Sequence, residues 1–333
     1  MTKKITLLVL SILLFAGLCA CTNTNQSDTT KKITLCLDWT PNTNHTGFFV
    51  AQTKGYYKEA GIEVEIVQPP ENGALLMCAS NQAQFAIDAQ DTMAGSLDSD
   101  TPLNVTAVAG LIQHNTSGII SRKGEGINTP KGLMGKRYST WDLPVEQKMI
   151  QYIVEKDNGD FSQVTMIPNN IYDEAAALKT NQTDAIWIFY AWGGIATKQS
   201  GMEFDYFYFK DVEPVFDYYT PILVANNDFL KSDIDTAKAF LIATKKGYEY
   251  AIQNPEDAAQ ILIDSDTTNS LKDSDTLVTE SQKYLAEQYI ADAPYWGYID
   301  DTRWNTFYTW LFENQLTTKN LTGAGYSNEY LTK

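Results

Sequence analysis

Short apolar runs with the character of β-strands alternate with stretches of helical periodicity along most of the chain. The run 62–67 is a clear case, because its apolar residues alternate with Glu63 and Glu65. Repeated strand–helix–strand units of this length predict right-handed crossovers and mostly parallel sheets, which is the α/β class. Strands are predicted at 33–38, 62–67, 84–88, 105–110, 136–139, 163–167, 185–189, 204–209 and 220–225, and long helices follow at 234–253, 255–262, 271–290 and 302–312.

Two places in the sequence are predicted to carry the chain between two lobes. The first is Gly124-Glu-Gly126, and the second is the stretch around Glu213-Pro214. Two such crossings divide the chain into a first lobe made of 33–123 and 219–333 and a second lobe, 124–218, inserted between them. The 333 residues are enough for two lobes with separate cores. A cleft between two α/β lobes is a natural place for a small molecule.

The N-terminus has the parts of a secretory signal. Two lysines precede the apolar run 5–18, which is too short for a membrane span of roughly 20 residues. Cys21 follows Ala20 in a segment that resembles a bacterial lipobox. We therefore predict a signal peptide over 1–20, lipidation of Cys21 and a flexible polar tether over 21–32. Ordinary secretion with an incidental thiol at Cys21 is the alternative.

The net charge and the small number of cysteines and histidines restrict the kinds of partner and metal that this chain can bind. A net charge of −16 repels nucleic acid and anionic lipid head groups, so attachment to a membrane must come from the lipid on Cys21. We expect a monomer held at the extracellular face of a bacterial cell membrane. Cys36 and Cys78 lie in apolar segments and are predicted to be buried free thiols, with a disulfide as the alternative. With His45 and His114 they give no metal-ligand spacing, so we expect neither a metal nor a cofactor.

The segment LDWTPNTNH (37–45) follows the first predicted strand, at the end of a sheet where ligands bind in α/β folds. The indole of Trp39 offers a flat platform and one N–H donor. Asn42 and His45 are the predicted hydrogen-bonding groups of this loop. The competing interpretation makes Trp39 a core aromatic that closes the sheet and His45 a turn or helix-capping residue.

Asp88 and Asp91 follow another predicted strand in the same way. A carboxylate there can accept a hydrogen bond from an amino group on a heterocycle, and it favours the protonated form of a ring nitrogen that it faces. A simpler role for Asp91 is to cap the helix that follows.

Aromatic residues gather at two further strand ends. Tyr190 and Trp192 lie in a turn after the strand 185–189, in which alternation separates Trp187 from Ile188. Core packing explains Ile188 and is the alternative for Trp187. Trp141 follows a short strand and precedes a helix, and is predicted to stack on a flat ring.

The segment 37–45 resembles the NMT1/THI5-like family, among the nitrate-, sulfonate- and pyrimidine-binding proteins. The likeness runs from 33 to 290, is strongest at 37–66 and weakest at 115–220, and also rests on 48–64, 227–231, 237–250 and 254–259. The family implies a bilobed fold of the periplasmic-binding-protein type (type II) that closes on its ligand and delivers it to an ABC permease with its ATPase. Related pyrimidine binders carry an acidic residue where this chain has Gly193 and Gly194.

Some members of the family are pyrimidine synthases, and the resemblance argues against that chemistry here. They hold pyridoxal phosphate with a lysine, and a histidine follows four residues later; the matching positions here are Asp88 and Thr92. They also carry an iron-binding cysteine segment, whereas 216–221 contains no cysteine. Phosphate-binding relatives have a glycine-rich loop where this chain has Trp141, which disfavours a phosphorylated ligand.

The sequence thus predicts a non-enzymatic, lipid-anchored binding protein of an ABC importer. The expected ligand is a thiamin-type aminomethylpyrimidine or a similar aromatic heterocycle. The predicted contacts are Trp39, Asn42, His45, Asp88, Asp91, Trp141, Tyr190 and Trp192. The alternatives are a binder of riboflavin or of an alkyl sulfonate and, in a different class, a secreted pyrimidine-metabolising enzyme.

Overall fold

The computed structural model describes residues 30–331. The predicted signal peptide, the lipidation of Cys21 and most of the predicted tether lie outside the described residues and stay predictions. The strands are β1 Lys31–Cys36, β2 Ile62–Val67, β3 Phe85–Asp88, β4 Val105–Gly110, β5 Ser117–Arg122, β6 Arg137–Thr140, β7 Thr165–Pro168, β8 Ala185–Phe189, β9 Phe204–Tyr208 and β10 Ile222–Asn226.

The helices connect these strands and extend beyond the last one. They are α1 Thr46–Thr53, α2 Tyr56–Glu59, α3 Ala74–Ala79, α4 Gln90–Asp98, α5 Pro144–Lys156, α6 Glu174–Lys179, α7 Ile195–Gln199, α8 Phe209–Val212, α9 Asn227–Ser232, α10 Ile234–Gln253, α11 Pro255–Ser265, α12 Asp275–Gln288 and α13 Asp301–Glu313. Within the described part of the chain, none of them is long and apolar enough to cross a membrane.

The strands form two five-stranded sheets of the same design. The order is β2-β1-β3-β10-β4 in the first sheet and β7-β6-β8-β5-β9 in the second. In each sheet four strands run in one direction, and the remaining strand, β10 or β5, is antiparallel to both of its neighbours. The predicted α/β class with mostly parallel strands is therefore confirmed.

Both faces of each sheet are covered, which explains why most strands read as apolar runs. In β1, Ile33 and Leu35 belong to a hydrophobic cluster with α1 and α10, and Cys36 belongs to another cluster on the opposite face. Cys36 and Cys78 form no disulfide within residues 30–331 and are fully buried, which confirms the prediction of buried free thiols. Burial raises the pKa of Cys36 to about 11, so this thiol stays protonated.

The chain passes between the sheets twice, in the segments 111–116 and 213–221. The second crossing contains Glu213-Pro214, as predicted. The first was predicted at Gly124-Glu-Gly126, and this is wrong because β5 already pairs with β8 and β9 of the second sheet. The two glycines instead form the turn after β5, with φ of 79° and 82°. The lobe boundary at 123/124 thus differs from the sheet membership, while the other boundaries stay predictions.

A carboxylate joins the two crossing segments. Asp217, in the second crossing, accepts hydrogen bonds from the backbone N–H of Asn115 (2.8 Å) and from Nδ1 of His114 (2.6 Å), both in the first crossing. Arg303, at the start of α13, lies 3.6 Å from the same carboxylate and donates to the carbonyl of Gln113. We call this contact the Asp217 junction; it holds together the two crossing segments that connect the sheets.

Two other sequence predictions need correction. Strand β1 begins at Lys31, inside the predicted tether, because its register with β2 pairs Lys31 with Ile62. The pattern over 48–60 predicts one helix that stops at Gly61, but the structure divides this segment into α1 and α2 at Gly55, whose φ of 80° lies in the left-handed region that glycine adopts easily.

The Asp217 junction predicts a pH-dependent stability. Asp217 raises the pKa of His114 above its ordinary value of 6.5. A raised histidine pKa stabilises the fold fully below the unfolded-state pKa, and this contribution is lost as the pH rises through the folded-state pKa. His114→Gln should therefore lower the free energy of unfolding by roughly 1 kcal/mol at about pH 5.5 and by much less at about pH 9.

The measurement is urea denaturation of both proteins at the two pH values. Asp292→Asn is the matched control, because Asp292 also contacts His114, at 3.0 Å, but is 72% exposed. It should change the stability little. An equal loss for His114→Gln at both pH values would contradict the role assigned to this ion pair.

Candidate functional site

A cavity of about 130 Å³ lies at the carboxyl ends of three parallel strands of the second sheet. Trp141 follows β6, Asn169 follows β7 and Trp192 follows β8, and all three line the cavity. Parallel strands end at the same edge of a sheet, so their loops converge there. We call this space the tryptophan cavity.

Three indoles form much of its wall. Trp187, on β8, is 5% exposed and its ring centroid lies 5.5 Å from that of Trp141 and 4.2 Å from that of Phe209. Trp187 packs in the core, as the alternative interpretation predicted, and its side chain also lines the cavity. Its indole N–H is buried and has no hydrogen-bond partner within residues 30–331. Trp141 is 39% exposed, so one side of the wall is open to solvent.

A carboxylate that the sequence analysis missed also lines the cavity. Glu174 is the first residue of α6, and Asp173 caps that helix by accepting from the N–H of Ala176 at 2.9 Å. Burial raises the pKa of Glu174, and Asp173 adds to the effect. A side chain at Gly193 would place its Cβ 3.0 Å from Oε1 of Glu174. The glycine thus leaves room for the carboxylate of Glu174, which lies in the connection after β7.

The turn that carries Trp192 is held by α12, a helix that packs with the first sheet in one hydrophobic cluster. It is a single π-helical turn, Tyr190–Gly194, and the carbonyl of its Ala191 accepts from the hydroxyl of Ser281 on α12 at 2.5 Å. Ser281 in turn lies 2.6 Å from the hydroxyl of Thr43, in the loop after β1. All three residues are buried. This Thr43–Ser281–Ala191 chain connects two loops that carry predicted ligand contacts. Trp192 itself packs against the hydrophobic cluster that covers one face of the first sheet.

Tyr190 points elsewhere. Its ring lies 5.2 Å from Tyr206 and from Tyr284, and it lines a separate cavity between α7 and α12. The predicted grouping of four aromatic residues is therefore divided. Trp141 and Trp192 share the tryptophan cavity, whereas Tyr190 lines the second cavity and Trp39 lines neither of the two.

The loop after β1 presents Trp39 and Asp38 to solvent. Trp39 is 60% exposed and so is not the core aromatic of the alternative interpretation. Asn42 uses its amide within the loop, accepting from the N–H of Asn44 and donating to the carbonyl of Thr40. His45 is fully buried; its Nδ1 accepts from the N–H of Asn42, so its Nε2 donates to Asp38 at 2.7 Å. In this conformation His45 positions Asp38 and presents no exposed atom to a ligand.

Asp88 and Asp91 lie at the end of β3 and the start of α4. Thr92 donates to Oδ1 of Asp88 at 2.6 Å, while Oδ2 of Asp88 is buried without a partner in the described residues. Burial raises the pKa of Asp88 to about 7, with Asp91 and Asp38 contributing. Asp91 bonds to backbone N–H groups of its own helix and to the hydroxyl of Tyr218. The N-cap of α4 is Ala89, so Asp91 is the second residue of the helix and not its cap. Asp88 is the carboxyl with a buried oxygen that has no partner in the described residues.

The chain is similar to known proteins along most of its length. A family model described as "NMT1/THI5 like" matches residues 42–258. A formylaminopyrimidine-binding protein of Halalkalibacterium halodurans is 25% identical over 317 residues, which are 92% of each chain. A 4-amino-5-hydroxymethyl-2-methylpyrimidine phosphate synthase of Saccharomyces cerevisiae is 26% identical over 71% of each chain.

Solved structures agree on the fold. A putative periplasmic sulfonate-binding protein of an ABC transporter from Methylobacillus flagellatus superposes with a TM-score of 0.65, covering 90% of this chain and 92% of that one at 15% identity. The predicted bilobed binding-protein fold is thereby confirmed.

The buried hydroxyl chain gives a stability prediction. Ser281→Ala removes the donor to Ala191 and leaves the hydroxyl of Thr43 without its partner, so it should lower the free energy of unfolding by roughly 1–3 kcal/mol. Ser232→Ala is the control, because this exposed serine makes one long hydrogen bond of 3.4 Å at the end of α9. Thermal and urea denaturation measure the stability of both variants. A Ser281→Ala protein as stable as the control variant would show that this contact does not hold the loops together.

Proposed function

The chain belongs to the NMT1/THI5-like family, and from that premise we propose that it is the solute-binding component of an ABC importer. Its proposed ligand is a thiamin pyrimidine precursor or a similar aromatic heterocycle, captured without chemical change. The observation that carries the proposal is the tryptophan cavity, in which three indoles and the Glu174 carboxylate surround a space at the strand ends. The name of the Halalkalibacterium halodurans relative supports this ligand class.

The chemistry of the cavity favours a flat ring with amino groups. Indole faces stack on planar rings and attract positive charge, and a carboxylate accepts from amino groups. Trp39 and the carboxyl groups of Asp38 and Asp88 are the proposed contacts from the lobe that contains the first sheet. They would meet the ligand as the two lobes close on it.

An anionic ligand such as an alkyl sulfonate is the second candidate, because sulfonate-binding proteins share the fold. The ion pairs of the arginines argue against it. Arg122 and Arg137 both bind Asp184, at 2.7 and 2.8 Å, and Arg303 is committed to the Asp217 junction. These are the chain's only arginines. Riboflavin is a further aromatic alternative.

A binding role rather than catalysis is also part of the proposal. At the positions that match the lysine and histidine of the synthases, Asp88 and Thr92 bond to each other. This geometry offers no amine to form a covalent bond with an aldehyde. Incubation of the protein with the pyrimidine and mass spectrometry of the products should return the pyrimidine unchanged; turnover would favour the enzyme alternative.

Calorimetry on the ligand-free protein tests the ligand class. We expect 4-amino-5-hydroxymethyl-2-methylpyrimidine or its formylamino analogue to bind, and Trp141→Ala or Trp192→Ala to weaken binding roughly tenfold each, because each removes a stacking wall. Phe312→Ala, which truncates an aromatic residue of similar exposure (41%) on α13, is the control and should bind normally. Binding of an alkyl sulfonate or riboflavin instead of the pyrimidines would overturn the ligand assignment.

Anchoring through Cys21 has its own test. In a bacterial host fed radiolabelled palmitate, the full chain should incorporate the label and fractionate with membranes. Cys21→Ser should abolish both, whereas Cys36→Ser, at a buried thiol, should still incorporate label. Labelling of the Cys21→Ser protein would exclude lipidation at this residue.

A further inference from the structure

We propose that Glu174 and Trp187 together select the ligand of the tryptophan cavity, by binding a heterocycle edge that carries an amino donor beside a ring-nitrogen acceptor. This inference rests on the proposed function and specifies the ligand chemistry of the same site. Neither residue was recognised as a ligand contact from the sequence. Three observations lead to it.

The first is the charge of Glu174. It lines the cavity and forms no ion pair with a lysine or arginine of the described residues, and its acidic neighbour Asp173 adds to the rise of its pKa. A half-buried carboxylate without a cation is costly, and an amino group or a protonated ring of a ligand would offset the cost. An anionic or purely apolar ligand would leave this carboxylate unpaired.

The second is the unsatisfied donor on the wall. The indole N–H of Trp187 is buried without a partner in the described chain, although the residue lines the cavity. Buried donors without partners are rare in folded proteins, and in the proposed complex the cavity closes around the ligand so that a ligand acceptor reaches this N–H. In the proposed complex the carboxylate supplies one acceptor, for the amino group of an aminopyrimidine, and the indole N–H supplies one donor, for its ring nitrogen.

The third is the space that the chain keeps for the carboxylate. A Cβ at position 193 would lie 3.0 Å from Oε1 and 3.3 Å from the carboxyl carbon of Glu174. Such contacts are tighter than ordinary packing, so even alanine would press on the carboxylate. An acidic side chain at 193 would crowd Glu174 further. The site therefore receives its carboxylate from α6, directly beside Gly193, instead of from the turn after β8.

The test compares two pyrimidines on matched variants by calorimetry. 4-Amino-5-hydroxymethyl-2-methylpyrimidine carries the proposed edge, and 5-hydroxymethyl-2-methylpyrimidine lacks its amino group. Glu174→Gln should weaken the amino compound roughly tenfold or more and change the other compound little. Glu155→Gln makes the same charge change at an exposed position of α5 and should leave both affinities as they are.

Two more variants complete the design. Trp187→Phe keeps an aromatic wall but removes the N–H, and should weaken both compounds because both retain the ring nitrogen. Gly193→Ala should weaken the amino compound through displacement of Glu174, and the combination with Glu174→Gln should add little to either single change. Circular dichroism and thermal denaturation identify any variant that fails to fold.

The outcomes separate this inference from the proposed function. If the unmodified protein binds neither pyrimidine, the proposed function fails. If it binds the amino compound and Glu174→Gln binds it equally well, or if both compounds weaken to the same extent in Glu174→Gln, the function stands and the selective role of Glu174 is wrong.

Discussion

The carboxylate of Asp217 is the contact on which the architecture depends. Two sheets of the same design are joined by two segments of chain, and this carboxylate bonds to backbone and side-chain donors of the other segment. Arg303 brings the last long helix to the same point. A polar junction of this kind fixes the paths of two adjacent segments without a large apolar interface, and such segments are where binding-protein folds change conformation.

The site is assembled from loops that the junction and α12 bring together. In the second sheet, Trp141, Trp187 and Trp192 lie at one edge because the carboxyl ends of the parallel strands meet there. The buried chain from Thr43 through Ser281 to Ala191 then ties the Trp192 turn to the loop that presents Trp39. Rigid support of this kind keeps ligand-binding side chains in position, and the loops gain it from an element far away in the sequence.

Chemistry within this shared fold decides the class of ligand. The same bilobed architecture is found in sulfonate-binding proteins, so the fold itself carries no ligand preference. This chain has an aromatic wall with the half-buried Glu174 carboxylate and an indole donor that has no partner within residues 30–331, while its arginines are engaged in ion pairs. Those features explain why we favour an amino-bearing ring over an anion.

The order and type of the elements could be read from local patterns, because apolar runs at strand spacing reveal buried strands wherever they are long enough. Strands β2, β4 and β8 have the predicted bounds. Strand β5 was missed because SGIISR mixes Gly118 and serines with only two large apolar residues, and only its two neighbours in the sheet make it a strand. Its absence displaced the predicted crossing to 124.

The sequence alone determined the class of fold, the buried thiols and the family, because these follow from composition, periodicity and motifs that are local in the chain. Tertiary structure decided which aromatic residues share a cavity, that His45 supports Asp38, and that Glu174 fills the space beside Gly193. Those facts depend on side chains distant in sequence that meet only when loops from separate strands converge, and no local pattern records such meetings.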